Sequence, residues 1–397
     1  MTAMPTDASA LLGLYQRGST MLLSTPCYTL LAQGERARLP EQGGAGQWKK
    51  LAERVGRLLL EQAREYGAAR TLVVGALPFD ERLPARLVVP QTIGWSGPLD
   101  ALQSANASST PRARPLSGST PCSVPSDSAY VAAVEQALRQ IEDGTLRKVV
   151  LARSLEVRLD AQPDVAILLR QLLRHNQGAY TFGLEVGQAD ASRTLLGASP
   201  ELVVSRRGRT VLANPLAGSA RRCATPEQDQ AAGWALLRSA KDRREHAFVA
   251  EAVANALRPL CTDLCVPTGP ALMRTATMWH LSTQIRGHLR DSTTSSLQLA
   301  TALHPTPAIC GTPTLQAQEA IRTLEGFERG YYAGLIGWSD AGGDGEWVLA
   351  IRCAQVDGNC MRLFAGAGII EGSQAQAELN ETTAKFRTVL NAMGVAP

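Results

Sequence analysis

The sequence predicts an α+β fold in which mainly antiparallel sheets carry helices on their outside. Strand-like segments are too numerous for simple βαβ alternation, and several follow one another with no helix between them. Of the 397 residues, 45% are apolar and 19% are charged, which is typical of a folded chain rather than a disordered one. This length suits one large domain or two ordinary ones.

The N-terminal hundred residues mix short strands with one helix. The segment from Trp48 to Tyr66 repeats apolar residues with a helical period, and residues 71–79 are predicted as a buried strand. Residues 103–127 are rich in Ser, Pro and Ala, a composition that predicts a flexible surface connection. Because all the blocks that carry chemistry follow this connection, we interpret residues 1–102 as an N-terminal lobe of the same fold.

Helices and strands alternate irregularly beyond the connection. An amphipathic helix over 129–143 precedes a strand over 148–157, and a further helix lies around 164–176. A long helix is predicted from Thr225 to about Leu257, and a last helix follows the Gly-Ala-Gly turn near residue 367. The remaining strands are predicted at 180–186, 193–206, 210–222, 280–289 and in three segments after residue 330.

Charge, cysteine spacing and hydropathy exclude several classes of protein. The net charge is only +4, and no block of consecutive basic residues could track phosphates, so we expect no nucleic-acid partner. No apolar run approaches the roughly 20 residues of a membrane span and no signal peptide is evident, which predicts a cytoplasmic protein without membrane contact. The eight cysteines lack zinc-site spacing and are expected to be reduced and mostly buried.

Two helices carry acidic pairs whose members are three residues apart. Asp242 and Glu245 lie on the long helix, whereas Glu378 and Glu381, followed by Lys385, lie on the last one. This spacing puts each pair on one helical face. If the two faces converge, their carboxylates suit an octahedral Mg²⁺ that also holds an anionic ligand. The alternative is a solvated charged face on which Glu245 pairs with a neighbouring arginine.

Seven blocks in a fixed order give the chain a recognisable family pattern. They are KVVLAR (148–153), GASPELVV (197–204), NPLAGSARR (214–222), KDRREH (241–246), LHPTPAICG (303–311), GEWVLAIRCA (345–354) and the C-terminal stretch 362–386. From about residue 129 the chain resembles the chorismate-utilising enzymes, most closely the isochorismate synthases of siderophore (dihydroxybenzoate) pathways. The resemblance implies two large, mainly antiparallel sheets packed face to face, with helices outside and a cleft between lobes. Residues 128–397 would then form the chorismate-binding catalytic region.

The same resemblance implies roles for individual residues. Lys148 resembles the general base of the family and Glu201 its general acid. Mg²⁺ is the implied cofactor, and its implied ligands are Glu245 and Glu381 directly and Asp242 and Glu378 through water. Substrate contacts are implied for Gly218, Ser219, His280, Ala308, Ile309, Tyr332, Arg352, Gly366, Ala367 and Lys385.

These residue types fit the implied chemistry. Chorismate carries two carboxylates and a C4 hydroxyl, and adding water at C2 while that hydroxyl leaves needs a base and an acid on opposite sides. A lysine, with an ordinary pKa of about 10.4, can be the base only if it is desolvated or close to other cations. Glu201 follows Pro200 and precedes an apolar run, which predicts partial burial and a raised pKa. Mg²⁺ would offset carboxylate charge, and Arg352 would bind a carboxylate through its fork.

Three positions distinguish this chain from other members of the family. The resemblance implies a glutamine in ammonia-using relatives at the position of Lys148. It also implies that some of these relatives have a nucleophilic lysine at the position of Ala217. Ala308 and Ile309 form the aliphatic pattern implied for synthases that stop at isochorismate, whereas salicylate-forming relatives tend to have threonine in place of Ile309. We therefore expect an isochorismate synthase. The alternatives are a salicylate synthase and an ammonia-dependent aminating relative.

The expected partner is the small-molecule substrate chorismate. We also expect a monomer that makes transient contact with a downstream enzyme consuming isochorismate. A non-catalytic relative is disfavoured because the chain retains the implied base, acid and metal ligands.

Overall fold

The computed structural model describes residues 8–16, 18, 20–68, 71–99, 117–187 and 192–394. Within them the helices are α1 (Ala8–Leu14), α2 (Gln47–Tyr66), α3 (Asp127–Glu142), α4 (Val165–His175), α5 (Pro226–Arg238), α6 (Ala240–Leu257), α7 (Ser296–Leu303), α8 (Thr314–Leu324) and α9 (Ala375–Met393). The strands of the first half are β1 (Met21–Ser24), β2 (Thr29–Gln33), β3 (Ala37–Arg38), β4 (Leu72–Leu77), β5 (Arg86–Val89), β6 (Thr92–Ser96), β7 (Cys122–Val124), β8 (Lys148–Arg158), β9 (Tyr180–Glu185) and β10 (Arg193–Ser199). Those of the second half are β11 (Leu202–Arg207), β12 (Thr210–Asn214), β13 (Leu216–Arg221), β14 (Cys261–Cys265), β15 (Ala271–Arg274), β16 (Met278–Ser282), β17 (Ile285–Leu289), β18 (Gly311–Thr312), β19 (Leu335–Asp340), β20 (Gly345–Leu349), β21 (Cys353–Asp357) and β22 (Cys360–Ile370).

Two large sheets and one small sheet contain these strands. The first large sheet has the order β18-β8-β22-β21-β10-β9-β1-β2-β6, with β7 also paired to β8. The second has the order β14-β17-β12-β11-β20-β19-β4-β5-β3, and the small sheet has the order β13-β16-β15. Every one of these pairings is antiparallel. The predicted α+β class with large antiparallel sheets is confirmed, and the small sheet adds to it.

The main hydrophobic core lies between the two large sheets. Leu23 of β1 and Val74 of β4, which belong to different sheets, are both fully buried in this core. Leu22, the neighbour of Leu23, belongs instead to a second core that includes residues of α1, α4 and α9. Because successive side chains of a strand point to opposite faces, the first sheet is covered by the second sheet on one face and by helices on the other.

The N-terminal strands contribute to both large sheets. β1 pairs with β9 in the first sheet, and β4 pairs with β19 in the second. All six residues of β4 are buried, which matches the buried strand predicted for this segment. The boundary predicted at residue 102 lies outside the described residues and stays a prediction.

The predicted surface connection, 103–127, is described only from residue 117 onward. Cys122–Val124 of this part forms β7, which pairs with Glu156–Ser154 of β8. The composition predicted a flexible connection throughout, whereas this end of the segment contains a short strand. Residues 103–116 lie outside the described residues.

The structure divides five of the predicted elements. Two of them are the strand predicted over 193–206, which becomes β10 and β11, and the strand predicted over 280–289, which becomes β16 and β17. The helix predicted from Thr225 to about Leu257 is two helices, because the Ser239 side chain caps α6 by accepting a hydrogen bond from the backbone of Asp242 at 3.2 Å. The strand predicted over 210–222 becomes β12 and β13 of different sheets, separated by Pro215, which has no N–H to donate to a ladder. The strand predicted over 346–356 likewise divides into β20 and β21.

Two predictions from composition have different outcomes. The prediction that most cysteines are buried is wrong. All eight are free, but only Cys261, Cys310 and Cys353 are buried. Within the described residues, no helix combines the length and the apolar character that crossing a membrane would require.

Candidate active site

A cleft of about 650 Å³, including the solvent at its mouth, opens where β8 and β22 meet the small sheet and the helices α6 and α9. Most of the sequence-predicted site residues converge on it although they are far apart in the chain. Those that line the cleft are Glu201, Gly218, Ser219, Glu245, His280, Ala308, Ile309, Tyr332, Arg352, Gly366, Glu381 and Lys385.

Four predicted site residues lie outside the lining: Lys148, Asp242, Ala367 and Glu378. Lys148 lies directly behind the lining residue Gly368, where an added Cβ would be only 3.2 Å from the Lys148 Cε. Successive residues of a strand alternate between its two faces. The side chain of Ala367 therefore points away from the face of β22 on which Gly366 and Gly368 line the cleft. Only the backbone of Ala367 is therefore available to the cleft.

Lys148 begins β8 and is fully buried. Its Nζ forms an ion pair with Oε1 of Glu245 at 3.0 Å and makes no hydrogen bond within the described residues. The amino group therefore has N–H groups to spare for a molecule in the cleft.

Glu201 lies between β10 and β11 and is almost completely buried. Its Oε1 accepts a weak hydrogen bond from the backbone of Leu216 at 3.3 Å. Burial raises the pKa of Glu201 to about 8, although Lys148, Lys385 and Arg352 each act to lower it. The Glu201 carboxyl is consequently protonated at neutral pH.

Arg352 lies between β20 and β21 with a left-handed backbone, φ 52°, a conformation that costs a non-glycine residue about 1–3 kcal/mol. Its Nη2 donates to Nε2 of His280 at 3.3 Å. Burial, Arg352 and Lys385 hold the pKa of His280 well below its usual value, so the ring is neutral and can accept. Burial lowers the pKa of Arg352 to about 10. No described carboxylate forms an ion pair with this guanidinium, which leaves its fork for a ligand.

Each of three acidic residues at the site is paired with a lysine. The pairs and their N–O distances are Lys148–Glu245 (3.0 Å), Lys241–Glu378 (2.8 Å) and Lys385–Glu381 (2.6 Å). Ser219 also donates to Glu381 at 3.0 Å, and Lys385 donates to the carbonyl of Gly366 at 2.8 Å. The alternative of Glu245 pairing with a neighbouring arginine is wrong, because its partner is Lys148.

The acidic pairs of α6 and α9 act on one another. Burial, together with Glu245 and Glu381, raises the pKa of Asp242, and burial together with Glu381 raises the pKa of Glu378. Glu381 differs, because Lys385 and Ser219 outweigh its burial and its pKa is lowered. Within the described residues, no three His, Cys, Asp or Glu side chains are grouped so as to hold a metal ion by themselves. The donor set is nevertheless all carboxylate oxygen, the type that Mg²⁺ prefers.

The apolar wall of the cleft is held by an ion pair that sequence reasoning missed. Arg329 donates to the carbonyls of Ile309 at 2.7 Å and Val150 at 2.8 Å, both in the lining. Its partner is Glu325, at 2.8 Å, and the Glu325 carboxylate also accepts from the backbone of Ala152 at 2.7 Å. The i, i+4 spacing of Glu325 and Arg329 is visible in the sequence, but exposed helical pairs have the same spacing.

Tyr332 and Lys241 complete the description of the site. Tyr332 is stacked on Phe364 with ring centroids 4.9 Å apart, and both rings line the cleft. Lys241 was missed as a functional residue although it is the first residue of the KDRREH block. Lys241 directly precedes Asp242, but its partner Glu378 lies 137 residues further along the chain, so the sequence gave no sign of their contact.

Comparison with known proteins identifies the family. Residues 91–394 match the family described as chorismate binding enzyme. The isochorismate synthase DhbC of Bacillus subtilis is 48% identical over 396 residues, which cover 98% of this chain and 97% of that protein. The isochorismate synthase EntC of Escherichia coli is 39% identical over 337 residues, 85% of each chain.

Solved structures agree with this assignment. The crystal structure of a putative 2,3-dihydroxybenzoate-specific isochorismate synthase, DhbC from Bacillus anthracis, matches with a TM-score of 0.91 and 43% identity, covering 98% of this chain and all of that one. The expected family and fold class are therefore confirmed. The chain belongs to the chorismate-binding enzyme family.

Proposed function

We propose that the chain is an isochorismate synthase, which converts chorismate to isochorismate by adding water at C2 and expelling the C4 hydroxyl. The observation that carries this proposal is the presence of two buried groups of opposite type at one cleft. Lys148 has an amino group without a hydrogen-bond partner, and Glu201 has a carboxyl that is protonated at neutral pH. The reaction needs one base and one acid. The similarity to DhbC and EntC supports the same activity.

Lys148 would act as the base and Glu201 as the acid. Lys148 would first release a proton to solvent, and as the water oxygen bonds to C2, Nζ of the resulting neutral amine would take the proton of that water. As the C4–O bond breaks, the departing oxygen would take the proton of Glu201. One water enters and one leaves, so the product is an isomer of the substrate, and the same two groups can serve the reverse reaction.

Basic and polar groups of the cleft would bind the two substrate carboxylates. Arg352 has an unpaired planar fork that suits a carboxylate. Lys385 of α9 and Ser219 of β13 also line the cleft, together with Gly218 and Gly366. The neutral ring of His280 would keep Arg352 in place through its hydrogen bond.

The carboxylates of α6 and α9 fit an Mg²⁺ cofactor in donor chemistry. Burial and mutual repulsion raise the pKa of Asp242 and of Glu378, so a further cation would stabilise the cluster. Glu245 and Glu381 would be direct ligands, and the other two acids would orient metal-bound waters. When bound, Mg²⁺ would offset the charge of a substrate carboxylate and fix its position.

The cleft wall supports isochorismate as the end product. Ala308 and Ile309 present only aliphatic groups to the cleft, and Ile309 is buried with its carbonyl held by Arg329. Ala217 has no amine with which to form a covalent adduct. A salicylate synthase, which goes on to eliminate pyruvate, is the alternative.

Incubating the purified protein with chorismate and Mg²⁺ and then separating the products by chromatography tests the function. We expect isochorismate in equilibrium with chorismate. Salicylate together with pyruvate would support the alternative, and an aminated product formed only with ammonia would contradict both. A reaction with EDTA in place of Mg²⁺ is the control and should form no product.

Turnover is expected to fall as the pH rises through about 8. Glu201 can donate a proton only when protonated, so its contribution is complete well below its pKa and is lost above it. The opposing cations Lys148, Lys385 and Arg352 do not bring this pKa back to its ordinary range. Measuring kcat between pH 6.5 and 9.5 checks the position of the decline, with roughly one pH unit of tolerance.

The matched variant for this profile is Glu201→Gln, which retains the shape of the side chain. It should turn over about 10²–10⁴-fold more slowly and show no decline assignable to this group. A Glu201→Gln enzyme with near wild-type turnover would contradict the assignment of the acid.

The pathway and the assembly belong to the proposal as well. We infer a place in the synthesis of a dihydroxybenzoate siderophore, since DhbC of Bacillus anthracis is described as specific for 2,3-dihydroxybenzoate. Assembly as a monomer and transient contact with an isochorismate-consuming enzyme stay predictions.

A further inference from the structure

Lys241 is a cation at the acidic cluster that the proposed mechanism does not use. Its Nζ lies 2.8 Å from Oε1 of Glu378, which is almost completely buried. Burial tends to lower the pKa of Lys241, but Glu378, Glu245 and Glu381 together raise it. A single ammonium group thus interacts with all four carboxylates that would serve Mg²⁺, since it also acts to lower the pKa of Asp242.

The position of Lys241 in α6 is unfavourable apart from this contact. It is the second residue of the helix, where the positive end of the helix dipole disfavours a cation by about 0.3–1 kcal/mol. Its side chain is 37% exposed, whereas that of Glu378 is 2% exposed. Rotation of the lysine side chain alone can therefore carry its ammonium into solvent, with no movement of the carboxylate or the backbone.

We propose that Lys241 is an internal counter-ion that neutralises the carboxylate cluster when metal is absent and leaves Glu378 when Mg²⁺ binds. This inference rests on the metal ligands of the proposed function. Two cations close to the same carboxylates repel each other, and Lys241 competes with metal-bound waters for the lone pairs of the Glu378 carboxylate. Lys241 is thus a positioning residue for Glu378 that competes with the metal.

The counter-ion role of Lys241 explains how the four carboxylates can stay close together without metal. Four carboxylates on two helices that meet at the cleft would otherwise repel one another in a largely buried place. Lys148 and Lys385 each occupy one of them, and Lys241 occupies a third. Because the coupling between two ligands of one site is reciprocal, a lysine that is displaced by the metal must also weaken metal binding.

Replacing Lys241 by glutamine separates charge from hydrogen bonding. Lys241→Gln retains an N–H donor for Glu378 but removes the positive charge. By titration calorimetry on the substrate-free protein, we expect the Kd for Mg²⁺ to fall on the order of tenfold relative to the wild type. The matched control is Arg244→Gln, which removes one positive charge from the same helix but from an exposed pair with Glu371. The control should leave the Kd unchanged within about twofold.

Two outcomes would overturn the inference, and they can be told apart. Wild-type binding of Mg²⁺ with no tightening in Lys241→Gln, or with equal tightening in Arg244→Gln, would remove the competition and leave the proposed function intact. Failure of the wild-type protein to bind Mg²⁺ at all would overturn the metal assignment together with the inference.

A second measurement covers a variant that is unstable without metal. The midpoint of thermal unfolding, followed as a function of Mg²⁺ concentration, rises with the affinity of the folded state for the metal. The rise should be larger in Lys241→Gln than in the wild type, and Lys241→Arg, which retains the charge, should behave like the wild type. Equal rises in all three proteins would contradict the inference.

Discussion

Lys148→Ala is expected to lower kcat for isochorismate formation by about 10²–10⁴-fold while chorismate still binds. The lysine is fully buried, and its amino group forms an ion pair with Glu245 at 3.0 Å but makes no hydrogen bond within the described residues. The groups expected to bind chorismate, Arg352 and Lys385 among them, are unchanged in this variant. Single-turnover kinetics and equilibrium binding of chorismate separate the two effects.

Removal of Lys148 also leaves Glu245 without its cation, and Lys148→Arg controls for that loss. Arginine retains the positive charge beside Glu245 but is not deprotonated in proteins, so it cannot act as a base. Both variants should therefore be inactive, and a small primary amine added to the Ala variant should restore part of the turnover. An active Lys148→Arg enzyme would show that the residue serves only as a counter-ion.

Arg329→Met is expected to lower the free energy of unfolding by about 3–5 kcal/mol. The Glu325 and Arg329 side chains are 1% and 3% exposed, so the variant leaves a carboxylate buried without its cation. It also leaves the carbonyls of Val150 and Ile309 without a donor. Urea unfolding followed by circular dichroism measures the change.

Arg322→Met is the matched control, because Arg322 also pairs with a glutamate of the same region, Glu319, but at the surface. An exposed pair contributes only about 0–1 kcal/mol. If both methionine variants unfold at the same urea concentration, the buried ion pair contributes no more to the free energy of unfolding than the exposed one. The double variant with Glu325→Gln should recover part of the loss, since no unpaired charge remains.

The sequence predicted those elements of the fold whose signals are local. The helices around 129–143 and 164–176 have regular apolar spacing, and the structure places α3 and α4 there. The break between α5 and α6 also had a local signal, since a serine three residues before an acid is typical of a helix start. The division between β20 and β21 had no local signal in the sequence. It depends on the left-handed backbone conformation of Arg352, and arginine rarely adopts this conformation without tertiary contacts.

The candidate site was predictable only through family resemblance. Lys148, Glu201 and Arg352 belong to separate strands or loops, and no spacing in the sequence indicates that they share a cleft. The i, i+3 acidic pairs predicted two helical faces, but not which cation each carboxylate contacts. Lys241 was missed for this reason. Arg329 was missed because its i, i+4 spacing from Glu325 does not distinguish a buried ion pair from an exposed one.

The pairing of β4 with β19 has a consequence for the order in which the protein is made. β4 (Leu72–Leu77) leaves the ribosome early, but the strand that covers its second edge begins only at Leu335. Until β19 is synthesised, β4 can pair only with β5. The other edge of β4, a strand whose residues are all buried in the finished protein, remains unpaired during this time. Nascent chains therefore expose this edge through most of translation, and a partly synthesised chain is prone to pair there with other chains.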